Sequence, residues 1–135
     1  MLIIKLIFFL INKLDIVMNN YIYILDLKVM NNKIKIGSTK YPHLRLNSYQ
    51  NNFPFNVNYL KLYQINSYNY DCYQVEKLIK KELLNTNNGF VDHNIFCNEL
   101  IENFFINNKI NFQIVNIKDC NNNEIFEEYK KELLM

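Results

Sequence analysis

A small α+β domain is predicted by three features of the sequence: two β-branched and aromatic runs meeting at an asparagine turn, an alternating third run, and later segments with helical periodicity. Together they give a three-stranded antiparallel sheet flanked by helices, with a C-terminal strand and helix extension. At 135 residues, half of them hydrophobic, the chain is long enough for one core and too short for two full-sized domains.

The first run, Tyr21 to Leu27, and the second, Lys33 to Gly37, flank Asn31-Asn32 and read as a β-hairpin. Gly37 is read as the end of the second strand. Thr39 and Pro42 then signal a helix from Pro42 to about Gln50. Residues 56–65 alternate, with Val57, Tyr59, Lys61, Tyr63 and Ile65 on one face and Asn58, Leu60, Leu62 and Gln64 on the other, which predicts a third strand. From Tyr70 to Leu84, Val75, Leu78, Ile79, Leu83 and Leu84 recur at three- and four-residue spacing, and Lys77, Lys80 and Lys81 are assigned to the wet face of that helix. A loop over 85–94, a helix over 96–107 and a strand-like segment over 110–117 follow. The tail, 123–134, is expected to be a charged helix capping the domain. The organisation is therefore an apolar extension at 1–18, a domain at 19–107, and a C-terminal strand and helix at 108–135.

Composition limits the function classes. Abundant Asn, Ile, Lys, Tyr and Phe reflect A/T-rich codons and point to an AT-rich genome, while the asparagine pairs supply turns where glycine and proline are scarce. A net charge of +2 excludes a strong nonspecific grip on nucleic acid by charge alone, so any such contact is local. Cys72, Cys97 and Cys120 lack zinc-motif spacing and read as thiols in a reducing, intracellular compartment. The apolar stretch from Leu2 to Ile11 is about half the length that spans a bilayer and lacks a signal peptide's cleavage site. It is expected to be a peripheral element or an extension upstream of a natural start at Met18, with no membrane partner.

Arg45 is the only arginine among fifteen basic side chains. A guanidinium clamps two phosphate oxygens in a geometry that an ammonium cannot copy. The bland alternative is an exposed helix arginine in a surface ion pair. Glu76 sits within an apolar-faced helix, where a carboxylate can hold a hard cation, although most helical glutamates are simply solvated. Tyr23 lies in a strand, where a tyrosine is usually core, and only a nearby metal or cation makes its hydroxyl a useful base.

Their order carries more than each residue does. Tyr21-Ile22-Tyr23, Lys35-Ile36-Gly37, Arg45, Tyr49 and Glu76 together resemble the landmarks of the GIY-YIG nuclease family. The stretch from Lys35 to Tyr49 is similar to that of the bacterial excision-repair incision subunit, and Val75 to Lys81 resembles the family's glutamate-bearing helix. The likeness spans roughly Asn20 to Phe105 and is nearest the short phage and large-DNA-virus branch with a KIG second motif. It implies a metal-dependent endonuclease in which Tyr23 helps activate the attacking water, directly or by way of the ion, and Arg45 stabilises charge on the scissile phosphate. Glu76 would be the sole protein ligand of one Mg²⁺ or Mn²⁺. Tyr49 is implied as a phosphate or hydrogen-bond partner one helical turn from Arg45, Lys40 as added positive potential, and His43 as a bystander.

Two departures stand out. Tyr21 replaces the glycine of the first triplet, and Lys35 replaces the tyrosine of the second, removing a hydroxyl that helps position the water in relatives. A catalytically degenerate module that binds nucleic acid or a protein partner is therefore the alternative reading. Asn94-Ile95-Phe96 falls where viral relatives carry an acidic residue before two apolar ones, and Asn98 is read as structural. DNA is the expected partner, with RNA left open, and a separate DNA-binding subunit would supply specificity.

Overall fold

A computed structural model describes residues 2–7, 19–27, 30–85, 88–93 and 98–117. Residues 2–7 are helical and exposed (α1) and precede the sheet. Among the described residues, no helix is long and apolar enough to cross a membrane. The elements that follow are β1 (Tyr21–Leu27), β2 (Lys33–Thr39), α2 (Pro42–Asn52), β3 (Asn58–Ile65), α3 (Cys72–Leu78), β4 (Phe90–Asp92), α4 (Asn98–Asn107) and β5 (Phe112–Ile114). The strands form one antiparallel sheet in the order β4-β2-β1-β3-β5.

The expected three strands are its centre, and two short edge strands widen it. β4 lies in a segment assigned to loop, because three residues are too few to show alternation. β5 pairs with β3 through Tyr63↔Ile114 and Ile65↔Phe112, which joins the C-terminal segment to the same sheet. The hairpin turn works as its sequence suggests: Asn31 and Asn32 both take left-handed backbone angles, which asparagine tolerates. The segments 94–97 and 118–135 lie outside the described residues, and with them the Asn94-Ile95-Phe96 equivalence and the charged tail helix.

Each sheet face has its own core. On one, Ile22, Ile24, Ile34, Ile36, Tyr63 and Ile65 pack with Cys72, Val75 and Ile79 and with Ile101 and Phe105 of α4. On the other, Tyr23, Leu25, Leu27, Val57, Tyr59 and Leu62 pack with Leu46 of α2. The single alternating face read over residues 56–65 is therefore corrected. Ile24 pairs with Lys61 and Leu25 with Tyr59, leaving Leu60 as an extra residue in a β-bulge. The inserted residue reverses the alternation, so Val57 and Tyr59 face α2 while Tyr63 and Ile65 face α3 and α4.

One further local expectation changes, and two gain detail. β2 does not end at Gly37 but continues through Ser38 to Thr39. α2 begins at Pro42 as its sequence signals, with Tyr41 as the N-cap and Thr39 Oγ1 accepting the Tyr41 N–H at 3.0 Å. The helix over Cys72–Leu78 continues in π winding over Ile79–Leu84, closed by Asn85 in a left-handed conformation.

Candidate functional site

An open cleft of about 310 Å³ gathers side chains from elements far apart in sequence. β1 contributes Tyr23, β2 Lys35 and Ser38, α2 Arg45 and Tyr49, α3 Tyr73 and Glu76, and the segment beyond it Lys80 and Asn88. Tyr23, Arg45 and Glu76, singled out in the sequence, thus meet at one cleft, with Lys35 and Tyr49 beside them.

Gly37 explains how a buried strand tyrosine reaches this cleft. It faces Tyr23 across the β1–β2 ladder. A Cβ built on Gly37 would stand 2.3 Å from Tyr23 Oη and 2.4 Å from its Cζ. The absent side chain is therefore the space that the phenol ring fills, a role for the glycine that is independent of backbone freedom. Tyr59 packs against the other side of that ring at 5.3 Å between centroids. Its own hydroxyl donates to the Pro42 carbonyl at 2.7 Å, tying the start of α2 to β3.

The Tyr23 hydroxyl shares a hydrogen bond with that of Tyr49 at 2.6 Å. Burial, then the Tyr49 hydroxyl, push the Tyr23 phenol well above its usual pKa, and the nearby Arg45 charge opposes the rise without reversing it. Tyr23 is consequently a neutral phenol at physiological pH. Arg45 is exposed on α2, one turn before Tyr49. Among the described residues it forms no ion pair. The Lys35 ammonium lies 5.3 Å from the Tyr49 ring centroid and 5.4 Å from that of Phe90, in range of cation–π attraction to both.

Glu76 enters from the opposite side, carried by α3. That helix starts at a capping box: Asp71 Oδ1 accepts the Gln74 N–H at 2.9 Å, and Gln74 Oε1 accepts the Asp71 N–H at 2.9 Å. A second tie comes from buried Asn20, whose Oδ1 accepts the Cys72 N–H at 3.0 Å and so fixes α3 to the start of β1. The Glu76 carboxylate is held at both oxygens. Ser38 Oγ donates to Oε1 at 3.1 Å and Lys80 Nζ to Oε2 at 3.2 Å. Lys35, Arg45 and Lys80 against Glu76 make the lining positive in balance, although the whole chain carries only +2.

A family model, the T5orf172 domain, matches residues 20–134. The chain belongs to the T5orf172 domain family. Comparisons with curated proteins and with solved structures gave no significant match. The T5orf172 match contains every residue of the cleft, from Tyr23 to Asn88.

Within this T5orf172 domain, Lys40 and His43 lie outside the cleft lining. Burial pushes the Cys72 thiol up, and the Lys40 charge is a minor influence against that rise. Four lining residues were not singled out in the sequence: Ser38, Tyr73, Lys80 and Asn88. Lys80 in particular was assigned to the wet face of its helix. Spacing holds the missing signal for two of them, since Tyr73 and Lys80 stand three residues before and four after Glu76 and so share its helix face.

Proposed function

We propose that this domain is a GIY-YIG-type endonuclease that hydrolyses phosphodiester bonds in DNA. The observation that carries the reading is the meeting of Tyr23, Arg45 and Glu76 at one positively lined cleft. The family match supports a nuclease-related role at a coarser level.

In this reading the exposed Arg45 guanidinium receives two oxygens of the scissile phosphate and stabilises the charge that builds there. Tyr23, held neutral, orients the attacking water by hydrogen bonding. Its 2.6 Å bond to the Tyr49 hydroxyl holds the phenol oxygen in place. Lys35 stands at the position of the family's second tyrosine and contributes charge rather than a hydroxyl, so water positioning falls on the Tyr23–Tyr49 pair.

Glu76 is the proposed metal ligand. Among the described residues there is no group of three or more His, Cys, Asp or Glu side chains that could cage an ion. A lone, half-buried carboxylate at an open cleft fits Mg²⁺ or Mn²⁺, which keep most of their water and take phosphate oxygens as ligands. Such an ion, when bound, supplies Lewis-acid polarisation and neutralises charge on the leaving oxygen.

Nicking of supercoiled plasmid in Mg²⁺ by the wild type, Arg45→Ala and Glu76→Ala tests the assignment. Nicking confined to the wild type supports it, and equal nicking by all three defeats it. Lys35 motivates a second reading, a relative that binds nucleic acid without cutting. It predicts metal-independent binding of DNA that Arg45→Ala weakens, with no product in any protein.

A further inference from the structure

We propose that the Lys80 ammonium stands in for the divalent cation at Glu76, holding the carboxylate in the metal-free protein and leaving Oε2 when an ion enters. The inference rests on the reading of Glu76 as the metal ligand.

Three observations carry it. Ser38 donates to Oε1, and Lys80, 3.2 Å from Oε2, engages the other oxygen of Glu76, the only acidic side chain among the described residues that line the cleft. Both partners of this ion pair have side chains 21% exposed, so water and ions reach them. An ion bonded to Oε2 at roughly 2.1 Å would meet the ammonium as a second cation in the same first layer. Repulsion between the two cations sets them in competition for that oxygen.

The Lys80 stem is placed rather than free. Gly89, at a left-handed φ of +79, lies against it: a Cβ there would stand 3.1 Å from Lys80 Cε and 3.6 Å from Nζ. Lys80 is also the second residue of the π-wound segment that begins at Ile79, a winding that recurs at functional sites. The ion pair thus spans the junction between the two windings, and Ile36 N–H bonded to the Gly89 carbonyl at 2.9 Å ties this loop to β2.

Calorimetric titration of the full chain with Mn²⁺ alone tests the proposal, using the wild type, Lys80→Met, Lys80→Gln, Lys77→Met and Glu76→Gln. Lys77 is an exposed lysine beside Glu76 that does not line the cleft, and it controls for loss of charge in general. Both Lys80 variants are expected to bind Mn²⁺ about two- to fivefold more tightly than the wild type, the range of a partly exposed ion pair. Lys77→Met is expected to match the wild type, and Glu76→Gln to lose binding. Lys80→Gln keeps the question open to test should the methionine variant not fold. Unchanged or weaker binding by the Lys80 variants, with Glu76→Gln still abolishing it, overturns the role of Lys80 and leaves the metal site standing. An equal gain in Lys77→Met overturns it as well. Wild-type affinity in Glu76→Gln overturns the metal reading itself.

Discussion

A methyl group added at Gly37 meets the ring of Tyr23, which is 2% exposed and cannot swing into solvent without leaving the core. The new Cβ would lie 2.3 Å from Oη, 2.4 Å from Cζ and 3.0 Å from Cε1. Ordinary carbon contacts begin at about 3.5 Å, so the ring must retreat by roughly 1 Å. Tyr59 blocks that retreat from the far side, and the movement pulls Oη from its 2.6 Å bond with Tyr49. Overpacking of this kind costs about 1–3 kcal/mol and a lost hydrogen bond about 1 kcal/mol more, which sets Gly37→Ala at roughly 2–4 kcal/mol of lost stability. Urea unfolding of the wild type, Gly37→Ala, Tyr23→Ala and the double variant measures it. With the tyrosine ring gone, the added methyl should cost less than about 1 kcal/mol, a coupling that contact between the two sites requires. Equal costs of Gly37→Ala in both backgrounds would refute the view that the glycine makes room for the ring.

Asn20→Ala removes the acceptor of the Cys72 N–H and should destabilise the domain by about 1–3 kcal/mol in urea, since a buried amide is left unpaired; a loss under about 0.5 kcal/mol would show that the tie does not hold α3. The raised pKa of Tyr23 gives a pH dependence of definite sign. The folded state holds this proton more tightly than the unfolded state, whose phenol titrates near 10.0, so the contribution is complete below that pH and is lost as pH rises above it. Wild-type stability should fall above pH 10 by up to about 1.4 kcal/mol per unit more steeply than that of Tyr23→Phe, and parallel curves would contradict the burial of a neutral phenol.

The central strands were legible from β-branched, aromatic and alternating runs, α2 from its start signals at Thr39 and Pro42, the α3 segment from its helical period, and the asparagine turn because Asn31-Asn32 needs no glycine to turn left-handed. What escaped has physical causes. The β3 bulge is invisible in a strand where both faces are apolar: Leu60 and Leu62 look alike as partners for either core, and only pairing with β1 decides between them. β4 pairs along the open edge of β2, and Phe90–Asp92 is too short to show a period of its own. Gly37 looked like a strand end because its reason for being glycine lies on another strand. The capping box at Asp71 and Gln74 is written in the sequence by their three-residue spacing.

The candidate site shows the same division. Tyr23, Arg45 and Glu76 were found through their order, and Lys35 and Tyr49 through the motifs around them. Lys80 was hidden by composition, since one lysine among many on a polar helix face carries no mark of its own. Its partner Glu76 and the glycine beneath it supply that mark only once the chain has folded.

Single-turnover cleavage of a short labelled DNA duplex in Mg²⁺, with binding followed separately by fluorescence anisotropy, addresses the central claim that Tyr23, Arg45 and Glu76 act on one phosphate. For Tyr23→Phe, Arg45→Lys and Glu76→Gln the account predicts rates lower by about 10²-fold or more, as when a group that stabilises the transition state is removed, with DNA affinity held within about threefold. Wild-type rates in the three variants, or rate losses that merely track lost binding, would contradict it.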